Sequence, residues 1–496
     1  MAECELVRYQ AGVLAVQERR FADAARLLES MHPTPELQAW LALTYAGLGD
    51  FKQATQRGVD AQTYGFVGGL GVSATVARCA GTPLLKVADV SSVRHMPHPW
   101  DIITAREAGI ACLETGRVAD ACEWLTVAWN SVRARQANWL LLGVAVHYGF
   151  ALRCAGRDGQ ACLVASAALV AVDADDVRLP LLHFNHLMAA VNLGQLDLAK
   201  QDLAALEALP NFGNGLLEYA RARVAEFCDP ASACQLYTII QFGSVFDRDV
   251  VFHAHISEVA LWLEMGEIER ATAALVAAAK FGGVRCASAW SSMRRATLLS
   301  LGRFPTQGLA PAIFARNEFA RCGYEREAAL ANVVLAAVSV KVMQGFVSSV
   351  VGPLRAAYTA AKRLGCVPVI RLELSRHPDL LAPLRSLPRG DELRELLEDD
   401  ATRLIEVGED FVTVNGVPIR LSRKAVAPML RFFLDRPGGA TLDEIAAFVG
   451  REDRRDSVNH FHLQRGEIKR VLQGVSLECE NRRYTLCSTN AFITSA

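Results

Sequence analysis

Five times the chain sets down a turn residue, an apolar residue two positions on and an alanine three beyond that: Arg19-Arg20-Phe21-Ala22-Asp23-Ala24, Gly49-Asp50-Phe51-Lys52-Gln53-Ala54, Gly116-Arg117-Val118-Ala119-Asp120-Ala121, Gly194-Gln195-Leu196-Asp197-Leu198-Ala199 and Gly266-Glu267-Ile268-Glu269-Arg270-Ala271. A small residue at the bend lets two antiparallel helices meet closely, and the alanine lets the second helix nest against the first. In most copies the second helix runs on to a large apolar residue, as at Leu28, Leu125, Leu203 and Leu275. From residue 1 to about 370 the chain is rich in Ala and Leu and almost without β-branched alternation, so it reads as helix throughout. Such hairpins cannot bury an apolar face alone and are expected to stack.

The first two copies lie thirty residues apart, and later intervals of roughly seventy each fit two hairpins. This spacing resembles the tetratricopeptide repeat, whose small residue, aromatic, turn glycine and second-helix alanine are matched by Ala42, Tyr45, Gly49, Phe51 and Ala54. Trp262, Gly266, Ile268, Ala271, Leu275 and Ala278 match it again, whereas Pro305 stands where a second helix should begin after Gly302. The resemblance implies a helical-hairpin superhelix over residues 1–370 with a groove for a protein or peptide partner. The seven Trp, at 40, 100, 124, 129, 139, 262 and 290, are read as packing residues.

Composition removes several alternatives. With 51% apolar and 21% charged residues and a formal net charge of -1, the chain offers no global attraction to nucleic acid or membrane, so any such partner must meet a local surface. Glu3, Glu5 and Arg8 interrupt what would be the apolar stretch of a secretion signal. The most apolar runs, Ala328–Val340 and Trp139–Phe150, fall short of a bilayer span, so a cytoplasmic protein without a membrane partner is expected. Thirteen cysteines occur without a CxxC pair, and those in alanine-rich helices read as reduced packing residues.

No site for a cofactor or metal is expected, and no enzyme. Gly68-Gly69-Leu70-Gly71-Val72-Ser73 lacks a preceding strand and a GK[ST] ending. His95 and His98 fall in an inter-helix loop. His183 and His186 share a helical face without a third ligand or an HExxH glutamate, and His253 and His255 face different sides of a helix.

The pattern changes after residue 370. Residues 371–400, with turns at His377-Pro378-Asp379 and Pro388-Arg389-Gly390, read as a bridge or terminal cap. Phe411–Leu421 holds an Asn415-Gly416 hairpin turn, and Pro418 places its strand at an edge or makes it short. Ser422 is expected to cap a helix to about Asp435 with Val426, Met429, Leu430 and Phe433 inward and a kink at Pro428. Thr441 and Glu444 form a capping box for a short second helix, RRDSVNHFHLQRGEIKRVL at 454–472 is the third, and 477–487 is a closing hairpin.

Hairpin, three helices and hairpin, with Leu421-Ser422, Pro437–Glu444, Ile468-Lys469-Arg470-Val471-Leu472 and Arg483-Tyr484-Thr485-Leu486, resemble the winged-helix output domain of response-regulator and antibiotic-regulatory transcription factors. Arginine at 483 replaces that family's glycine. The fold class expected is therefore mainly α, a tetratricopeptide-like superhelix followed by an α/β winged helix-turn-helix domain over 401–496. At 100° per residue Val458, Phe461, Ile468, Val471 and Leu472 face inward, and Asn459, His460, Leu463, Gly466, Glu467 and Arg470 face outward, with His462, Lys469 and Gln464 at the margins. Arg465 falls near the inward side. The residues expected to meet duplex DNA are Asn459, His460, His462, Leu463, Lys469 and Arg470, with Arg482 and Arg483 on the wing. Residues 451–470 hold six basic and four acidic side chains, so the patch is only mildly positive and a homodimer would supply more phosphate contacts. The function expected is a DNA-binding transcription regulator whose repeats hold a partner; the alternative is an adaptor whose winged helix leaves DNA alone.

Overall fold

The computed structural model describes residues 3–64, 66–80, 93, 96–171, 176, 178–209, 215–242, 247–301, 305–342, 347–388, 390–398, 403–407, 412–414, 417–419, 425–434, 436, 440–449, 454–471, 475–480, 483–488 and 491–495. The chain divides into two compact units, Met1–Pro383 and Leu384–Ala496.

The first unit is a succession of antiparallel helical hairpins, each packed on the next. All five turn signatures are hairpin bends. The helix Pro35–Gly47 ends as Gly49 enters the left-handed region, φ 78°, so that its N–H reaches the Ala46 carbonyl at 3.2 Å and the Asp50 N–H reaches the Tyr45 carbonyl at 2.9 Å. This pair of bonds satisfies carbonyls that the helix end would otherwise leave without partners. It recurs at Gly116, Gly194 and Gly266, and at Arg19, where a side chain stands in a conformation that glycine adopts more readily. Ala24, Ala54, Ala121, Ala199 and Ala271 are all fully buried, as close helix approach requires. Pro305 opens a short 3-10 turn, Pro305–Gly308, and the helix Leu309–Cys322 follows it.

Among the further bends, Gly156 and Gly323 close their helices in the same way, with bonds from Arg157 N–H to Leu152 and from Tyr324 N–H to Phe319. Their apolar anchors are absent: Asp158 and Glu325 stand two residues on. Asp158 is fully buried, and its partner is Arg326 Nη1 at 2.6 Å, 168 positions away. The array therefore curves until a late hairpin meets an early one. At the same seam a Cβ on Gly156 would lie 2.8 Å from Arg326 Cβ, and one on Gly194 2.8 Å from Pro368 Cβ. The helix Val367–Ser375 completes the closure, with Glu373 on Arg294 at 2.5 Å and Arg376 within 3.4 Å of Glu226 and Glu264. Residues 371–383 thus belong to the first unit.

The second unit holds two sheets and three longer helices. β1 (Arg403–Val407), β2 (Val412–Val414), β3 (Val417–Ile419) and β7 (Ala491–Ser495) form one sheet in the order β3-β2-β1-β7, with β1 and β7 parallel. Pro418 lies in β3, at the sheet edge, where a missing N–H costs no ladder bond. The turn Asn415-Gly416 lies outside the described residues. β4 (Ala440–Thr441), β5 (Val475–Glu480) and β6 (Arg483–Ser488) form the second sheet, antiparallel, in the order β4-β6-β5.

The helix expected from Ser422 begins at Val426 and ends at Leu434. Pro428 is consequently in its first turn, where N–H groups have no helical partner, and the expected kink has no cause. Val426, Met429, Leu430 and Phe433 are buried with Val407, Val412, Ile445, Phe461, Ile468 and Leu477 in one core. The capping box is formed: Thr441 N–H donates to Glu444 Oε2 at 2.6 Å, and Glu444 N–H to Thr441 Oγ1 at 3.3 Å, fixing the start of the helix Leu442–Val449.

Removing one member of a buried ion pair strands the other. Arg326→Met is expected to lower the stability of the first unit by about 3–5 kcal/mol in urea unfolding, and Arg326→Met with Asp158→Leu to recover most of it.

Candidate functional site

The helix Arg454–Val471 presents part of the expected nucleic-acid face. Phe461 and Ile468 are fully buried, and Phe461 meets Tyr484 edge-on at 4.9 Å. Asn459, His462 and Leu463 are exposed, and His460 is half-buried. Arg465 turns inward, its guanidinium 5.6 Å from the Tyr484 ring centre, so it is no base reader. Gln464, expected at the outer margin, is buried at 1% exposure beside the buried Ser457, because that side of the helix faces the domain interior. Lys469 and Arg470 lie in the last turns of the helix and Arg483 opens β6; their side chains, and the whole of Arg482, fall outside the described residues.

The first unit holds a second arrangement that sequence reasoning did not locate. Seven helices, Asn138–Cys154, Leu179–Asn192, Leu216–Ala225, Arg248–Glu264, Ala287–Leu301, Glu325–Val342 and Val367–Ser375, surround a cavity of about 350 Å³. Each is the first helix of its hairpin or follows the last one, so the cavity is the inner face of the curved array. Phe150, Phe184, Met188 and Trp290 supply apolar wall; Trp290, read from sequence as a packing residue, both packs on Phe319 at 5.2 Å and lines this space.

Charges dominate the remainder. Burial pushes the Glu226 carboxyl up, but Arg223 and Arg376 outweigh it and hold it below the usual range; Tyr237 donates to it at 2.5 Å. Glu373 is held well below its ordinary range by Arg294, His377 and Arg376 against the same burial penalty. Glu327 behaves oppositely: burial raises it more than Arg326 lowers it, and its Oε2 makes no hydrogen bond within the protein. Arg153 differs from the other cavity arginines. Its Nη1 donates to Asn185 Oδ1 at 2.7 Å, its Nε has no partner, and among the described residues no carboxylate lies within ion-pair distance. Burial lowers its pKa. His253 lines the same cavity, driven to about 3 by burial and by Arg285, Arg223 and Arg153.

His183 and His186 have a common partner: His183 Nδ1 and His186 Nδ1 lie 2.9 and 2.7 Å from the two oxygens of Asp202. Among the described residues no group of three or more His, Cys, Asp or Glu is placed to hold a metal, and no helix is long and apolar enough to cross a membrane.

No protein-family model matches the chain, and no curated protein matches it. Among solved structures, a Rap protein complexed with competence and sporulation factor is 12% identical, with 73% of this chain and 99% of that chain covered at a TM-score of 0.47. Yeast Tom70 is 13% identical over 78% and 98% at 0.33, and a monomeric mutant of IFIT1 with Gppp-AAAA is 12% identical over 91% and 94% at 0.36. Likenesses this distant carry no functional argument; the tetratricopeptide-like character of the first unit rests on its own hairpins.

His253 gives a pH test. Its folded value of about 3 lies below the ordinary 6.5, so folding favours the neutral ring. The unfolded chain takes up a proton as pH falls through 6.5 while the folded chain does not until about 3; the contribution is complete above 6.5 and is lost on acidification. His253→Asn is expected to remove up to about one proton from the slope of unfolding free energy between roughly pH 6 and pH 4, measured by urea titration.

Proposed function

We propose that this chain is a non-enzymatic transcription regulator, in which the inner face of the repeat unit receives a partner and the second unit is a winged helix that meets duplex DNA. The observation that carries the reading is the path of β4. It lies between the helices Val426–Leu434 and Leu442–Val449 and pairs with β6, whose hairpin with β5 follows the helix Arg454–Val471. Three helices closed by a strand that returns to a terminal hairpin are the arrangement in which a winged helix offers its third helix to the major groove. The inward course of Phe461, Gln464, Arg465 and Ile468 leaves Asn459, His462 and Leu463 on the outer side, where amide and apolar groups can read adenine and the thymine methyl.

A second reading, an adaptor whose winged helix binds protein, draws support from the same face. Asn459 and Leu463 carry no charge, and Phe448 and Leu463 are exposed apolar side chains at 44% and 53%, while duplex binding draws on several phosphate contacts.

The two readings separate in a selection of duplex fragments by the full chain. A common sequence is expected, bound more weakly as salt rises; Asn459→Ala is expected to cost about 1–3 kcal/mol at one base pair, and Leu463→Ala to relax the choice at another. Uniform weak binding to all duplexes leaves the adaptor reading.

A further inference from the structure

The cavity of the first unit has a charge pattern that points to a particular ligand chemistry. Its lining holds six arginines and five carboxylates, and Asp158 and Glu264, just outside it, pair with Arg326 and Arg376. Arg223, Arg294, Arg326 and Arg376 each have carboxylate partners within the protein. Arg285 pairs with Asp249, so among the described residues Arg153 is the cavity arginine without a carboxylate partner.

These two guanidinium groups converge on one ring. Arg153 lies 5.9 Å and Arg285 5.1 Å from the centre of Phe150, and Arg153 also stands 5.5 Å from Phe184. Arg285 has one carboxylate, Asp249, at 3.0 Å, and that carboxylate is the more exposed member of the pair. Arg153 has Asn185 in place of a carboxylate. The amide is itself fixed, because its Nδ2 donates to the Val146 carbonyl at 2.9 Å, so Asn185 holds the guanidinium without neutralising it. A charged group kept from water without a counter-ion is unfavourable, and a bound anion relieves the cost.

We propose that the cavity binds a small organic monoanion, a carboxylate on an apolar body, with the carboxylate on Arg153 and Arg285 and the body against Phe184, Met188 and Trp290. One guanidinium without a carboxylate, at Arg153, matches a monoanion better than a doubly charged phosphate ester. The volume of about 350 Å³ and the closure of the ring by Arg326 and Arg376 suit a small molecule rather than a peptide chain running along a groove. The planar guanidinium suits bidentate carboxylate recognition, and the aromatic wall keeps it oriented. The proposal deepens the partner-receiving half of the proposed function and rests on it; it is independent of whether the second unit binds DNA.

The test uses the full chain and calorimetric titration with octanoate and 3-phenylpropionate, each beside its carboxamide, together with phenyl phosphate and a C-terminal dipeptide acid. At least one small acid is expected to bind, with its amide weaker by about 10-fold to 100-fold, the loss of a charge-assisted hydrogen bond. Arg153→Met is expected to reduce acid binding by a similar factor while leaving the thermal midpoint unchanged or raised, since it removes an uncompensated buried charge. The acid–amide comparison on the unmodified chain needs no variant and stands if Arg153→Met fails to fold. Equal binding of acid and amide, unchanged acid binding in Arg153→Met, preference for the phosphate or the dipeptide, or no binding of either small acid at millimolar concentration overturns the proposal. Acid binding without duplex selection overturns only the DNA reading, and duplex selection without acid binding overturns only this one.

Discussion

The ion pair between Asp158 and Arg326 is the contact on which the first unit depends. Stacked hairpins are ordinarily one-dimensional, each touching only its neighbours. A buried pair joining residues 168 positions apart removes that independence and turns a curved row into a ring with an inside. Both side chains are buried, and Asn192 adds a bond to Asp158 at 3.0 Å, so the carboxylate has the partners that its desolvation demands. The enclosure of the cavity, and with it the burial of Arg153 and His253, depends on this seam.

The hairpins were legible because they are local. A left-handed bend, an anchor two residues on and a buried alanine form a pattern within six positions, and Gly49, Gly116, Gly194 and Gly266 all obey it. Gly156 and Gly323 escaped because Asp158 and Glu325 occupy the apolar anchor positions, and at Asp158 the substitution is what makes the ring. The cavity escaped for a related reason. Arg153, Arg223 and Arg376 are scattered arginines in sequence, and only curvature brings them to one space. The weak local signal was an arginine set among apolar residues, as in Phe150-Ala151-Leu152-Arg153-Cys154, which helical spacing alone reads as a boundary of a packed face.

In the second unit, the elements fixed by adjacent residues were read well: the capping box, the hairpin of β5 and β6, and the inward set of the first helix. β1 and β7 were not, because they pair in parallel from opposite ends of the unit and no turn residue announces them. Its polarity makes Gln464 read as an outer-margin residue, against its own angular position. At 100° per residue it falls between Ile468 and Val471, so the projection itself puts it on the inward stripe with Ser457, Phe461 and Ile468, where it is buried. Asn459, His462 and Leu463 define the described part of the outward set.

The seam between Asp158 and Arg326 also constrains how such a chain can change over time. An open solenoid tolerates gain or loss of a repeat, since each added unit merely lengthens the row. Here the hairpins between the two residues form an arc of set length, and adding or deleting one would carry Arg326 past Asp158 and strand both. Duplication can extend this protein only before the arc begins or after it ends, so its inner segment has a fixed copy number while its N-terminal flank does not.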